Sequence, residues 1–314
     1  MTGYILRRLA MLLPVLLGIS LLAFGLGLLA PGDPASALYQ QLYGQQSPDR
    51  ETLDRFREEL GLNDPAPLRY GRWLGAAVQG DLGISYRSGR PVLHELIDNI
   101  PATLLLAVGG LFVSLVIAIP VGVLAAVRPD SMFDLLARVG SLLCMAMPSY
   151  WLAYLLILLF AVQLRWLPVA GAGSWRHVLL PCLTLGLTGA APLSRLIRSA
   201  LLEVLHEDYV RTARAKGLRS QAVLLRHALR NALIPVVTVL GTRFGALLAG
   251  GVVLETVFAW PGIGKLLIDA IAFRDYPLIQ GFVLFTGLVF VLVNLLVDLS
   301  YVWIDPRVRL TRAT

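Results

Sequence analysis

The stretch ATLLLAVGGLFVSLVIAIPVGVLAAV, residues 102–127, contains no charged side chain in 26 positions. The hydrocarbon core of a bilayer is about 30 Å thick, and a helix that rises 1.5 Å per residue crosses it with about 20 apolar residues. Such a helix also satisfies all of its backbone polar groups internally, as lipid requires. Residues 102–127 are therefore predicted to form a transmembrane helix.

Five further segments satisfy the same length and hydropathy criterion. The expected fold class is an all-α polytopic membrane protein, with the whole chain, 1–314, as one transmembrane domain. The fourth span carries Arg195 and Arg198 in its last third, and both can reach water if that end is cytoplasmic. The six predicted spans are about 9–30, 102–127, 136–162, 178–202, 233–254 and 281–303.

Composition supports a membrane protein and excludes a nucleic-acid-binding one. Of 314 residues, 57% are hydrophobic and 15% are charged, whereas soluble domains carry about 25% charged residues. The net charge of +7 comes from basic residues that cluster between apolar runs, which indicates topology. No nucleic-acid-binding motif is present. Cys144 and Cys182 lie in apolar segments without neighbouring ligands and are predicted to be free thiols.

The distribution of Lys and Arg predicts that both chain termini are cytoplasmic. With the N-terminus inside, the short outer loops carry few basic residues and the inner side carries many. The apolar stretch 9–30 exceeds the roughly 7–15 residues of a signal-peptide core, so it is expected to be an uncleaved first span. The basic residues assigned to the inner side are Arg7, Arg8, Arg128, Arg138, Arg211, Arg214, Lys216, Arg219, Arg226, Arg230, Arg307, Arg309 and Arg312.

Two segments assigned to the outer, periplasmic side have helical patterns of their own. In segment 31–101, Ser47-Pro48 is typical of a helix start and Leu60-Gly61 of a helix end, with a second short helix around Leu68–Val78. This segment is either a scaffold on the membrane surface or a contact for an external partner. Segment 255–280 is predicted to be a turn and an amphipathic helix, with Trp260 as an interfacial anchor.

No catalytic or nucleotide-binding motif is recognisable in the sequence. HExxH is absent, and no GxSxG motif with a partner histidine accompanies the serines of the spans. Gly262-Ile-Gly-Lys265 resembles part of a phosphate-binding loop, but Ala259 replaces the first glycine and Leu266 the hydroxyl residue. We therefore expect no enzyme activity and no cofactor on this chain.

Ionisable and polar groups at membrane depth are candidates for a translocation path. Arg243 lies near the middle of the fifth span, and Asp298 and Asn294 lie one turn apart in the sixth. One interpretation is that Arg243 pairs structurally with a carboxylate or with backbone carbonyls of a neighbouring helix. The other is that it lines a water-filled path and meets an anionic or zwitterionic solute.

The connection between the fourth and fifth spans, residues 203–232, is the most informative loop. It is predicted to form two short helices joined at Gly217, with Ser220 as N-cap of the second. Such an elbow suits insertion into a groove on a soluble partner, but its charge also suits anionic lipid headgroups. Both interpretations stay open on residues alone. The apolar face of the second helix is predicted to comprise Leu225, Leu229, Ala232 and Leu233.

This loop resembles the coupling-loop signature of binding-protein-dependent ABC importer permeases, Glu-Ala-Ala-x-x-x-Gly followed by proline. Here Arg211-Thr212-Ala213 precedes Gly217, and Pro235 follows, so the first two positions depart from the general form. The segments Tyr209–Gly217 and Arg226–Pro235 are similar to the variant of the dipeptide/oligopeptide/nickel importer family. Further similarities lie at Tyr4–Arg8, Pro31–Pro34, Gly83–Ser85, Arg90–Val92, Met147-Pro148, Leu167-Pro168, Glu255–Gly262, Arg274–Pro277 and Asp305–Arg307.

The resemblance implies an ABC type I importer permease in the bacterial inner membrane. It implies a heterodimer with a second permease, two cytoplasmic ATPase subunits that bind ATP and Mg, and an external solute-binding protein. The family's substrates are di- and oligopeptides, glutathione, opines and nickel or its chelates; Arg243 favours short peptides, whose carboxylate it could meet. A passive channel and a membrane-embedded enzyme are the alternatives from other classes. The implied ATPase-coupling residues are Tyr209, Arg211, Thr212, Ala213, Arg214, Ala215, Lys216 and Gly217.

Overall fold

The computed structural model describes residues 2–29, 33–44, 48–59 and 61–304, and it leaves the side chains of 2–10, 34, 37, 40–42, 248–250 and 297–304 undescribed. The predicted N-cap Ser47, the side chain of Asp298 and the motif at 305–307 therefore lie outside the described residues. The α-helices are α1 Thr2–Leu29, α2 Pro34–Tyr43, α3 Arg50–Glu59, α4 Ala66–Val78, α5 Val92–Val127, α6 Met132–Ala146, α7 Ser149–Leu156, α8 Arg176–Leu205, α9 Asp208–Ala215, α10 Ser220–Ala222, α11 Leu229–Ala232, α12 Ile234–Gly250, α13 Val252–Val257, α14 Ile263–Ala272 and α15 Tyr276–Ile304. Two segments are π-helical, Ile157–Gln163 after α7 and Val223–Ala228 after α10.

Among the described residues, four helices are long and apolar enough to cross a membrane on their own. Two bent pairs raise this number to six if each pair counts as one span, in agreement with the six predicted spans. The four are Met11–Leu29, Val92–Val127, Arg176–Leu205 and Tyr276–Leu296, and the bent pairs are Met132–Ala146 with Ser149–Gln163 and Ser220–Ala232 with Ile234–Leu247.

The third predicted span, 136–162, is not one straight helix. α6 ends at Ala146, and the helix that starts at Ser149 leaves it at an angle of 106°. Between them Met147 has an extended backbone (ψ 131°), because the ring of Pro148 disfavours the α conformation in the residue before it. Hydropathy is continuous across this break, so the hydropathy pattern alone predicts one span.

Several span helices begin earlier in the chain than hydropathy predicts, α5 and α15 among them. α5 begins at Val92, ahead of the predicted start at 102, and α15 begins at Tyr276, ahead of 281. The first turns of α5 contain polar residues, which lower the local hydropathy. They are helical nonetheless, because Val92 and Leu96 are fully buried in a hydrophobic core.

The chain divides into two compact units, which are described separately. Unit 1 contains residues 1–101 and 262–291, and its core joins the start of α5 to α14 and to the start of α15. Phe24 of α1 packs edge-on against Tyr70 of α4, with ring centroids 5.4 Å apart. The single-domain organisation stays a prediction. The buried core residues of unit 1 are Leu82, Val92, Leu96, Ile263, Ala270, Leu278 and Phe282.

A buried aspartate fixes the turn-rich segment 83–91 in unit 1. The carboxylate of Asp275 is fully buried and accepts hydrogen bonds from the Ser85 hydroxyl (2.5 Å) and the Arg87 backbone N–H (3.2 Å). Burial, together with the negative charge of Asp275, raises the pKa of the neighbouring Tyr86 phenol to about 12. The segment is therefore an ordered part of the unit.

Unit 2 contains residues 102–261 and 292–314, and α5 contacts α8 closely at glycines. A Cβ atom on Gly122 would lie 2.7 Å from the Ser194 carbonyl oxygen, and one on Gly110 would lie 2.6 Å from the Leu185 Cβ. Glycine at these positions lets the two backbones approach, as small residues do between transmembrane helices. The hydroxyl of Ser114 adds an interhelical hydrogen bond to the Gly186 carbonyl (3.1 Å).

The expected interfacial anchor Trp260 is instead part of the core of unit 2, so that prediction was wrong. Its side chain is 4% exposed and packs with Leu106 and Cys182. The indole N–H donates to the carbonyl of Ala102 at 2.9 Å, which satisfies its polar group inside the protein. Nearby, the buried Glu255 accepts a hydrogen bond from the Thr103 hydroxyl at 2.7 Å.

Candidate functional site

The predicted helix–glycine–helix elbow is present in the loop after α8. α9 ends at Ala215, and Gly217 takes a left-handed conformation with φ +78°. The Leu218 N–H donates to the Ala213 carbonyl (3.4 Å) and the Gly217 N–H to the Arg214 carbonyl (2.9 Å), the two bonds of a Schellman helix end. The prediction of two short helices joined at Gly217 is confirmed.

A small apolar cluster holds the two arms of the elbow together. Val210, Ala213 and Val223 are buried at 0%, 7% and 2% exposure and pack against Val204 and Leu205 at the end of α8. Ala213 is therefore a packing residue, and its small side chain allows α9 to approach the following segment. Movement of the elbow would be passed directly to the end of α8 through this cluster.

A hydrogen bond between polar side chains also joins the arms. The amide Nδ2 of Asn231 donates to the phenol oxygen of Tyr209 at 2.7 Å. The two residues are 22 positions apart, and each lies in one of the two segments that carry the family resemblance. Tyr209 was selected from the sequence and Asn231 was not, because a partner at that separation has no local sequence signal.

The outer surface of the elbow is basic. The side chains of the selected residues Arg211, Thr212, Arg214, Ala215 and Lys216 are exposed, as is Gly217. Thr212 lies within α9 and donates its hydroxyl to the Asp208 carbonyl of the preceding turn at 2.9 Å. Arg211 makes an exposed ion pair with Asp208 at 3.4 Å, so it contributes little to stability. The elbow therefore has exposed positive charges near Gly217, and the apolar cluster packs its two arms against the end of α8.

Two details of the second arm differ from the sequence prediction. Arg219, with an extended backbone, precedes the first helical residue Ser220, and no side-chain bond caps this helix. Leu225 is 61% exposed, whereas Val223 and Ala228 are buried. Residues Val223–Ala228 form π-helix, whose wider turn moves the apolar face away from the positions that α-helical spacing predicts.

Arg243 lies on α12 and contacts α8 within unit 2. One guanidinium nitrogen, Nη1, donates to the Gly189 carbonyl at 3.3 Å, and the side chain is partly buried. A Cβ on Gly189 would lie 3.2 Å from that nitrogen, so glycine makes room for the contact. This is the backbone-carbonyl pairing that one interpretation expected, and the role of Arg243 in a path stays a prediction. Asn294 is partly buried on α15.

A buried ion pair joins α6 to α8, and no local pattern in the sequence indicates it. Both carboxylate oxygens of Asp134 accept from Arg198, at 2.6 and 2.7 Å, and the Asp134 side chain is fully buried. Arg198 was expected to reach water, but the structure pairs it inside unit 2. The described residues contain no group of three His, Cys, Asp or Glu side chains that could hold a metal ion.

Comparisons with known proteins cover almost the whole chain. The family described as "Binding-protein-dependent transport system inner membrane component" matches residues 118–310, and its N-terminal counterpart matches residues 1–107. The glutathione transport system permease protein GsiC of Escherichia coli O6:H1 is 42% identical over 309 residues, which are 98% of this chain and 99% of that protein. GsiC of Pectobacterium atrosepticum is also 42% identical, with the same coverage of both chains.

A solved structure shares the fold. A chain of the MetNI methionine ABC transporter, in an inward-facing conformation, aligns with a TM-score of 0.54. The alignment covers 67% of this chain and 96% of that one at 22% sequence identity. The all-α importer-permease fold expected from the sequence is confirmed.

Proposed function

The chain belongs to the family of inner membrane components of binding-protein-dependent transport systems, and we propose that it forms half of the translocation path for short peptides, glutathione among them. It is a multi-pass permease of an ATP-driven importer in the bacterial inner membrane. ATP is hydrolysed by separate ATPase subunits, and the family implies no cofactor on the permease itself.

The family implies three kinds of partner: a second permease, an ATPase and a solute-binding protein. We propose that the second permease is a different, homologous chain, and that two ATPase subunits serve the resulting heterodimer. Membrane lipid surrounds the spans. The exposed apolar side chains along α5, such as Val108, Phe112 and Val116, are available for these contacts.

The basic elbow is the proposed docking element for an ATPase subunit. The exposed residues Arg211, Arg214 and Lys216 would meet the walls of a groove, with Gly217 at the sharp turn. The cluster of Val210, Ala213 and Val223 would then pass movement of the ATPase to the end of α8. ATP-driven closure would in this way switch the spans between inward- and outward-facing arrangements.

The substrate proposal rests on one observation, the match of a glutathione permease to 98% of this chain. Glutathione is a short peptide with free carboxylates, which agrees with a role for the guanidinium of Arg243 in the path. A nickel, nickel-chelate or opine importer of the same family is the alternative, and it becomes one outcome of the test.

Transport by the reconstituted complex tests the substrate. The chain, its cognate permease and its ATPase subunits are placed in proteoliposomes, and the cognate binding protein is added outside. We expect ATP-dependent uptake of radiolabelled glutathione and of a dipeptide, and no uptake with a non-hydrolysable ATP analogue. Uptake of nickel without glutathione uptake would contradict the substrate proposal, and uptake without ATP would indicate a passive channel.

The substitution Arg243→Gln tests the path residue. We expect glutathione uptake to fall by roughly tenfold, the factor that about 1.4 kcal/mol of lost interaction gives, because the amide cannot attract a carboxylate. Arg243→Lys keeps the positive charge, so it should retain more uptake than the glutamine variant. If both variants transport normally and only the melting temperature falls, Arg243 is a structural residue that bonds Gly189.

A further inference from the structure

Three arginine side chains converge on a cavity within unit 2 that neither the sequence nor the proposed function assigns. The cavity has a volume of about 460 Å³ and lies between α6 and α8. Met145 at its edge is 51% exposed, so the cavity opens at the surface of the unit. The residues that line it include Arg138, Arg195 and Arg198 with Met145, Leu196 and Ser199.

The positive charge of the cavity exceeds the negative charge beside it. Both carboxylate oxygens of Asp134 are bonded to Arg198, and one of them lies 3.6 Å from the guanidinium of Arg138. Arg138 also has a weak contact with Asp130 at 3.8 Å, but that aspartate is 89% exposed. The one buried carboxylate beside the cavity therefore pairs with Arg198 and Arg138, and Arg195 has no carboxylate partner among the described residues.

Two of the arginines have hydrogen-bonding capacity that the described protein groups do not use. The polar contact of Arg195 is with the thioether sulfur of Met145, at 3.8 Å. The Nε of Arg138 is buried and has no acceptor among the described residues. A buried guanidinium N–H without an acceptor is unfavourable, so the Nε of Arg138 favours an acceptor such as an anion. Arg195 is exposed, and it adds a positive charge that an anion can pair with.

The predicted topology places the arginines near the cytoplasmic ends of their helices, toward the lipid headgroups. Arg138 lies about 9 Å along the axis from the first residue of α6, Met132, and Arg198 lies about 10 Å from the last residue of α8, Leu205, at 1.5 Å per residue. Both helix ends are on the predicted cytoplasmic side. Further along α6, Leu142 and Leu143 are more than half exposed and offer an apolar surface to acyl chains.

We propose that this cavity binds the phosphate group of an anionic phospholipid of the cytoplasmic leaflet. Basic pockets between transmembrane helices on this side of a membrane suit such headgroups, since arginine binds phosphate through parallel N–H bonds. A free phosphate ion has the same oxyanion chemistry but makes no use of the apolar surface beside Met145. The lipid is therefore the occupant to which the proposal commits.

The test uses the complete complex in nanodiscs of phosphatidylcholine, with or without 20 mol% phosphatidylglycerol. Native mass spectrometry measures the phosphatidylglycerol that stays bound, and thermal unfolding measures the protection that it gives. We expect the parent complex to retain this lipid in preference to phosphatidylcholine. Arg195→Gln should lower retention by about fivefold, the effect of roughly 1 kcal/mol per basic residue near the membrane surface.

Arg195 is the residue to change because it has no carboxylate partner among the described residues, whereas loss of Arg198 would remove the bidentate partner of the buried Asp134. Arg128→Gln is the matched control, since it removes one exposed positive charge on the same predicted side, outside the cavity. Equal loss in the two variants, or no preference for phosphatidylglycerol in the parent, would overturn the proposal. Equal protection of the parent by inorganic phosphate in phosphatidylcholine nanodiscs would also overturn it, in favour of a free-anion site.

Discussion

Replacing Gly217 with valine is expected to uncouple ATP hydrolysis from transport while the protein still reaches the membrane. Open space surrounds the position of a Cβ atom on Gly217, so the penalty comes from the backbone. At φ +78° an L-residue costs about 1–2 kcal/mol, and a β-branched side chain is especially unfavourable there. The turn would relax toward negative φ and redirect the second arm of the elbow.

The measurement is solute uptake together with ATPase activity of the reconstituted complex. We expect uptake to fall by roughly tenfold or more, which corresponds to about 1.4 kcal/mol of lost docking free energy, while basal ATP hydrolysis persists. Gly217→Asn is the control, because asparagine tolerates the left-handed conformation, and it should transport close to the parent rate. Normal transport by the valine variant would contradict the coupling role of the elbow.

Asp134→Asn is expected to give the largest loss of stability. The change leaves the guanidinium of Arg198 without a counter-charge beside a fully buried side chain. Breaking a buried ion pair from one side costs about 3–5 kcal/mol. The free energy of unfolding in detergent, measured by denaturant titration, should fall by about 3–5 kcal/mol.

Asp130→Asn is the matched control for this prediction. Asp130 is 89% exposed, its contact with Arg138 is 3.8 Å, and asparagine accepts its left-handed backbone at φ 58°. Loss of the Asp130 carboxylate should change the free energy of unfolding by less than about 0.5 kcal/mol. Similar losses in both variants would mean that the burial of the Asp134–Arg198 pair is not what stabilises α6 against α8.

The spans and the elbow could be predicted from the sequence because their signals are local. Twenty consecutive apolar residues determine a span, and a glycine between two short amphipathic runs indicates a helix end followed by a turn. The same reasoning fails where local helix geometry changes. Leu225 was assigned to an apolar face at α-helical spacing, but the π segment that contains it turns this side chain outward.

Contacts between distant parts of the chain could not be predicted in this way. Asp134 and Arg198 are 64 residues apart, and hydropathy describes each of them only as a charge at the end of a span. Tryptophan is typical of the membrane interface, but the indole N–H of Trp260 donates to the Ala102 carbonyl. This bond allows the Trp260 side chain to be buried. Arg243 was singled out by its depth in the fifth span, but its bond to Gly189 depends on the packing of α12 against α8.

The glycine contacts between α5 and α8 have a mechanical consequence. Gly110 and Gly122 bring the backbone of α5 directly against α8. Few side chains separate the two helices there, so they cannot easily slide past each other. Pro181 and Pro192 each remove one backbone hydrogen bond from α8, so the close contact with α5 is what would keep the pair moving together under a push at the elbow. α8 has 30 residues, about 45 Å of axis, so a tilt of about 5° at one end displaces the other by about 4 Å. With an ATPase docked at the elbow as proposed, a small stroke would change the width of an opening on the far side of the membrane.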